Sequence, residues 1–174
     1  MWPEGLLVKL KAVGISDNLL KWFKDYLNDR KQHVVPPGAA SDWSHTKAGV
    51  PQGSVLGPLL FFVYINDIVI DINSNIRLFA DDTCLFIAAD NPAVTANLLN
   101  SDLLKISNWA DKWLVKFNPA KTRSLVISCK ATFVNHPSVL MYDQIITEVD
   151  GHKHLGVILS NNLSWHKHIE YILA

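Results

Sequence analysis

The chemistry in this sequence is concentrated in two adjacent carboxylates, Asp81 and Asp82. An apolar run, Ile76-Arg77-Leu78-Phe79-Ala80, leads into them, and a second, Thr83-Cys84-Leu85-Phe86-Ile87-Ala88-Ala89, leads out. Both runs are rich in β-branched and aromatic residues, so the pattern predicts the two strands of a hairpin with the acids at or beside its tip. Neighbouring side chains of an extended strand point to opposite faces, whereas a bend lets them share one patch of space. Two carboxylates held close repel each other, and a hard divalent cation with oxygen ligands relieves that repulsion. Asp is also a common turn residue in hairpins. From these residues alone, a metal site and a plain turn both stand.

The second stretch with chemical content is Gly49-Val50-Pro51-Gln52-Gly53-Ser54-Val55-Leu56-Gly57-Pro58, directly ahead of an apolar segment at 59–70. Glycines let the backbone approach a ligand with no Cβ in the way. Amides at a helix start favour an anion, and Pro58 suits a first helical turn, where no amide donor is needed. Gln52 can donate and accept hydrogen bonds, as reading a base or sugar edge requires. An ordinary turn before a helix explains the same residues equally well. Four imidazoles, His152, His154, His166 and His168, have a spacing that invites a metal site, but no Cys pair accompanies them.

These groups have to be positioned by the elements around them. Leu6, Leu7, Leu10 and Val13 recur at helical spacing and stop at Gly14, and Ser16 is placed to cap a second helix carrying Leu19, Leu20, Phe23, Tyr26 and Leu27. Short strands at 31–35 and 43–48 flank Pro36-Pro37-Gly38. The helix at 59–70 is apolar nearly all round, which predicts burial on most sides, with Asn66-Asp67 near its end. Asn91-Pro92 opens a further helix running to about Trp113, striped by Leu99, Leu103, Ile106, Ala110 and Trp113. A strand at 124–128 and an irregular stretch at 131–140 follow. Two more strands, at 144–149 and 154–159, flank Asp150-Gly151 as a hairpin signal. A last helix starts near Trp165. This order predicts an α+β fold with one helical face.

Composition limits what such a domain can be. A chain of 174 residues, 49% hydrophobic and with six Trp, can bury a real core. Its formal net charge of zero excludes the basic footprint of a free-standing nucleic-acid binder, so any such contact is local. Cys84 and Cys129 lie in separate apolar strands without metal-type spacing, as expected of buried thiols in a reducing compartment. Residues 55–72, the most hydrophobic stretch, are broken by Gly57-Pro58 and Asn66-Asp67, so no membrane span is expected. No secretory signal is visible, and nothing in the sequence argues for an oligomer. A helix that begins within the first few residues, with nothing before it to dock against, raises the expectation of a segment of a longer protein.

Taken together and in order, Gly49 to Phe61, Tyr64-Ile65-Asn66-Asp67 and Phe79-Ala80-Asp81-Asp82-Thr83 resemble the reverse transcriptase of non-LTR retrotransposons. The resemblance runs through almost the whole chain. Gly5-Leu6-Leu7 with Gly14-Ile15 resembles the helix after that family's first catalytic motif. Trp113-Leu114, Phe117-Asn118-Pro119 and Lys121-Thr122 resemble its fourth motif. His154-Leu155-Gly156-Val157, with Leu163-Ser164-Trp165 and His168, resembles its primer-grip region.

The resemblance implies a polymerase palm, an antiparallel sheet backed by helices, within an incomplete right hand that lacks fingers and thumb. It implies DNA synthesis on an RNA template, from a DNA primer and deoxynucleoside triphosphates (dNTPs), inside the cell in nucleus or cytoplasm. Asp81 and Asp82 would hold Mg²⁺ in a two-ion site. Pro51, Gln52 and Gly53 would lie beside the incoming nucleotide and template. Lys121 would assist the pyrophosphate, or else be a surface Lys opening a strand. Leu155 and Gly156 would meet the primer. One departure stands out: the family's third metal-binding Asp belongs to a motif this sequence lacks. The early acids Glu4, Asp17, Asp25 and Asp29 fall on or beside helices. The competing expectation is therefore a non-catalytic remnant that binds nucleic acid weakly at most.

Overall fold

The first helices follow from their punctuation. Pro3 needs no amide partner in a first turn, Glu4 complements the positive helix start, and Lys9 and Lys11 complement the negative end, so α1 spans Pro3–Ala12. Ser16 occupies the N-cap position of α2 (Asp17–Leu27), although its side chain makes no capping hydrogen bond. Leu6 and Leu10 of α1 pack with Phe23 and Leu27 of α2 in a buried cluster completed by Leu60 and Tyr64. Each such side chain contributes about 2 kcal/mol on burial. A computed structural model of the chain describes residues 1–46, 48–51, 53–128 and 136–173; Gln52 and Cys129 lie outside the described residues.

Two compact units form. The first comprises Met1–Asp71, Leu78–Thr83 and Trp109–Lys116; the second comprises Ile72–Arg77, Cys84–Asn108 and the described residues from 117 onward. In the first unit, β1 (Lys31–Gln32) and β2 (Ser44–His45) pair antiparallel, Lys31 opposite His45 and Gln32 opposite Ser44. The ribbon is prolonged by bonds from Thr46 N to Arg30 O (2.7 Å) and from Ser41 N to Val34 O (2.9 Å). Next comes α3 (Leu56–Ile65), which tightens into a 3-10 turn at Asn66–Val69. Pro58 falls in its first turn, as expected. The expected burial on most sides does not hold: Leu59 is 57% and Phe62 55% exposed, because only the side bearing Leu60 and Tyr64 meets the core.

The acidic hairpin forms from β3 (Asn75–Phe79) and β4 (Asp82–Phe86), and its tip belongs to the first unit. Then α4 (Pro92–Lys112) starts at Pro92, with Asn91 Oδ1 accepting from the amides of Ala93 (2.9 Å) and Val94 (3.4 Å). The expected stripe is the packed face: Leu103, Ile106 and Ala110 are buried, and Leu99 and Trp113 half-buried.

In the second unit the strands are shorter than the sequence suggests. Of the expected strand at 124–128, Ser124 pairs as part of β5 (Arg123–Ser124), and Ser128 N donates to Asn161 O at 3.2 Å. Leu140–Met141 (β6) and Gln144–Ile145 (β7) pair antiparallel across Tyr142-Asp143, both at positive φ. Thr147–Glu148 (β8) runs parallel to β5. The last hairpin joins β9 (Gly151–His154) to β10 (Val157–Ser160), so its turn is Leu155-Gly156 and not Asp150-Gly151. A two-residue turn with φ of 48° and 86° at its centre needs Gly in the second place, and Gly156 supplies it. Asp150 instead closes the open end, its carbonyl accepting from Asn161 N at 3.0 Å. Finally α5 (His166–Leu173) buries no residue. The α+β class holds, although among the described residues the strands pair only two by two. No helix among them is long and apolar enough to cross a membrane.

One buried carboxylate ties the loop before β3 to α4. Asp102 is fully buried and accepts from Ser74 Oγ (2.5 Å), Ser74 N (2.6 Å), Asn73 N (3.0 Å) and Lys105 Nζ (2.9 Å). Burial alone would raise its pKa, but the bonds from Ser74, Lys105 and Asn73 outweigh that and hold it at about 2. A depressed carboxylate stabilises the fold above its unfolded pKa of 3.8 and loses that contribution as pH falls toward 2. We therefore expect about 2 kcal/mol of stability to disappear between roughly pH 4 and pH 2. Asp102→Asn should remove a similar amount at pH 7 and flatten that acid limb, as measured by urea unfolding across pH.

Candidate functional site

The bend that carries the acids is a two-residue turn, Ala80-Asp81, between Phe79 and Asp82. Ala80 adopts φ +51°, a left-handed conformation that a side chain adopts at a cost of about 1 kcal/mol. Asp81 thus sits in the turn itself and Asp82 opens β4. Both are exposed, which leaves their carboxylate oxygens available to a ligand.

The glycine-rich segment adjoins this bend. Val50, Pro51, Gly53, Pro58 and Phe62 line a hollow of about 610 Å³, and Ala80 lines it as well. Gly53 has φ +77°, so it is required for the backbone path rather than for the absence of a Cβ clash. Ser54 Oγ accepts from Gly57 N at 3.0 Å and donates to Pro51 O at 2.8 Å, which fixes the loop ahead of α3. The start of the loop is held by a bond from Gly49 N to Met1 O (2.9 Å).

The first unit also holds a buried cluster that sequence reasoning missed. Lys9, 5% exposed, donates from Nζ to Asp67 Oδ1 and to Tyr64 O (2.5 Å). Its ammonium lies 3.9 Å from the Trp113 ring centre and 4.6 Å from that of Trp109. Trp109 Nε1 donates to the same Asp67 oxygen at 2.9 Å, and the Tyr64 hydroxyl donates to Trp113 O. Burial lowers the Lys9 pKa below 10.5, and the Asp67 carboxylate opposes the shift. Burial likewise raises the Tyr64 hydroxyl. The signal was present in Tyr64-Ile65-Asn66-Asp67, but nothing local says that an acid at the end of an apolar helix reaches a lysine 58 positions earlier.

A model of the family described as reverse transcriptase (RNA-dependent DNA polymerase) matches residues 1–169. The chain belongs to the reverse transcriptase family. It is 30% identical, over 184 aligned residues, to the RNA-directed DNA polymerase from mobile element jockey of Drosophila melanogaster, covering 99% of this chain and 19% of that protein. It is 29% identical to the probable RNA-directed DNA polymerase from transposon X-element of the same species, covering 97% of this chain and 19% of that protein. The probable RNA-directed DNA polymerase from transposon BS is 28% identical. The chain therefore spans about a fifth of the length of these relatives, and the likeness to non-LTR elements read from the motifs is borne out. No solved structure matches it.

Against the reverse transcriptase pattern, the structure brings Pro51, Gly53 and the Asp81-Asp82 bend together in one unit. Lys121 is exposed in a turn whose amide donates to Asn118 O (3.1 Å), and it belongs to the second unit with Leu155 and Gly156. The donor chemistry of Asp81 and Asp82 fits Mg²⁺, which takes one or two carboxylates together with substrate phosphates. Among the described residues no three His, Cys, Asp or Glu converge, so the imidazole group at 152–168 does not form a metal cluster there. His166 faces Glu170 at 3.1 Å, and His168 Nδ1 accepts from Ile158 N at 3.4 Å. Of the early acids, Asp17 and Asp25 lie on α2 and Asp29 pairs with His45 at 3.3 Å. Cys84 is half-buried in β4 with its thiol pKa raised by burial.

Removing the lysine of the buried pair should expose how much rests on it. Lys9→Met leaves Asp67 without its cation and is expected to cost about 3 kcal/mol in urea unfolding followed by tryptophan fluorescence. Lys9→Met combined with Asp67→Leu should recover part of that loss, since no uncompensated charge then remains.

Proposed function

We propose that this chain is the palm segment of an RNA-directed DNA polymerase, copying an RNA template by extending a DNA primer with dNTPs. The observation that supports the reading is the single hollow shared by Pro51, Gly53 and Ala80, which sets two exposed carboxylates beside a glycine-rich loop. In this reading β3–β4 is the centre of a palm-type antiparallel sheet, and fingers and thumb come from sequence outside residues 1–174. Asp81 and Asp82 hold Mg²⁺, which when bound supplies the charge neutralisation on which phosphoryl transfer depends. The segment Pro51-Gln52-Gly53 lies along the nucleotide and template, where glycine lets the backbone come close to a ligand. Leu155 and Gly156 present a tight turn to the primer, and Lys121 faces the departing pyrophosphate. The enzyme works inside the cell, in nucleus or cytoplasm, where its half-buried Cys84 stays a thiol.

The second reading, a segment without catalysis of its own, is favoured by the donor set: two carboxylates, with no third ligand converging among the described residues. Both readings agree on what the isolated chain should do. In a primer-extension assay with Mg²⁺, an RNA template and dNTPs, the 174-residue chain is expected to give no product. A longer polymerase carrying this segment should extend the primer and lose about a hundredfold or more on Asp81→Asn or Asp82→Asn. Mg²⁺-dependent synthesis by the isolated chain would refute the requirement for a further ligand. Undiminished synthesis by both variants of the longer protein would refute the polymerase roles of the acids.

A further inference from the structure

The β1–β2 ribbon carries a feature that the polymerase site does not use. His33 and Trp43 stack face to face across it, with ring centres 3.8 Å apart and planes within 15°. The register that sets Lys31 opposite His45 continues to this pair, so side-chain alternation puts Lys31, His33, Trp43 and His45 on one face of the ribbon. All four are exposed, Trp43 by 63%. His33 covers one side of the indole, and the exposure of Trp43 means its other side is open. Among the described residues the cation on that face is Lys31, about 7 Å along the strand from His33. Asp29 lies against His45 at 3.3 Å, and Asp42 alternates to the opposite face. The Val34 amide is bonded to Ser41 Oγ at 2.9 Å, which holds the loop end of the ribbon and with it the ring pair.

An indole fixed from behind, open in front and flanked by a cation is the arrangement that takes a nucleobase on its face and a phosphate beside it. Trp22 differs, because it already stacks on Tyr26 at 5.3 Å and meets Phe23 edge-on. We propose that the Trp43 face of this ribbon is a stacking platform for single-stranded nucleic acid, with Lys31 contacting the phosphate of the stacked nucleotide. The choice of nucleic acid as partner rests on the polymerase reading; the location does not. With zero net charge on the chain, binding depends on this local face, and duplexes, whose bases are already stacked on one another, are excluded from it.

The test uses the whole chain and fluorescein-labelled 12-mers of oligo(dT), oligo(rU) and duplex DNA, in low salt with EDTA and without nucleotides, read by anisotropy. Single strands should bind more tightly than duplex. Trp43→Ala should weaken single-strand binding about tenfold or more, while Trp43→Phe stays within about threefold and Trp22→Ala leaves affinity unchanged. Circular dichroism of each variant verifies that it is folded, and the oligo(dT) and oligo(rU) arms show which strand type the platform prefers. Equal binding by Trp43→Ala and the unsubstituted chain, equal binding of duplex, or no binding at all would overturn the proposal. None of these readouts needs Mg²⁺ or synthesis. Trp43-dependent binding alongside undiminished synthesis by both acid variants of the longer polymerase would sink only the polymerase reading, and the reverse result would sink only the platform.

Discussion

A lysine buried among aromatic rings holds the first unit together. Lys9 comes from α1, Asp67 and Tyr64 from the end of α3 and the turn after it, and Trp109 and Trp113 from the end of α4 and just beyond. An ammonium in such a place costs several kcal/mol of lost hydration, and only a paired carboxylate, a carbonyl and ring faces together offset it. Because those partners come from segments far apart in sequence, the charge is satisfied in one arrangement of the segments and not in others. A hydrophobic cluster of the same size would tolerate sliding; this one does not. The glycine-rich loop leads directly into the same α3, so its place beside the acidic bend depends on that fixed arrangement.

The hairpin and α4 each contribute residues to both units, with the tip of the hairpin and the end of the helix in the first and the remainder in the second. Asp102 plays in the second unit the part that Lys9 plays in the first. It is a buried charge whose hydrogen bonds come from the short loop Asn73-Ser74 and from Lys105 one turn along its own helix. The two anchors differ in kind. Lys9 is shielded mainly by rings, whereas Asp102 is shielded by directed donors, and only the latter moves its titration into an experimentally convenient acid range.

Much of this was legible in the sequence because it is written locally. The acidic hairpin, the Asn91-Pro92 helix start, the stripe through Leu103, Ile106 and Ala110 and the Gly53 turn all depend on neighbours within a few positions. What was not legible depends on distance or on competition. Asp150-Gly151 has better turn chemistry than Leu155-Gly156, yet the ladder closes at the latter, since four cross-strand pairs from Gly151 to Ser160 outweigh the poorer first turn residue. Lys9 stands in the last turn of a helix with nothing local to mark it, and only tertiary packing makes it a core residue. The burial of α3 was overread because an apolar helix says what it could bury, not what is present to cover it.

Ala80 carries a consequence for which sequences can fold here at all. Its left-handed backbone angle disfavours β-branched side chains, which crowd the following carbonyl in that region, and is met most cheaply by Gly, Asn or Asp. The direction in which Asp81 leaves the turn, relative to Asp82 in the strand, is thus set by a residue that bears no functional group. Valine or isoleucine at that one position would strain the bend and so alter the direction of the acid pair without removing either acid.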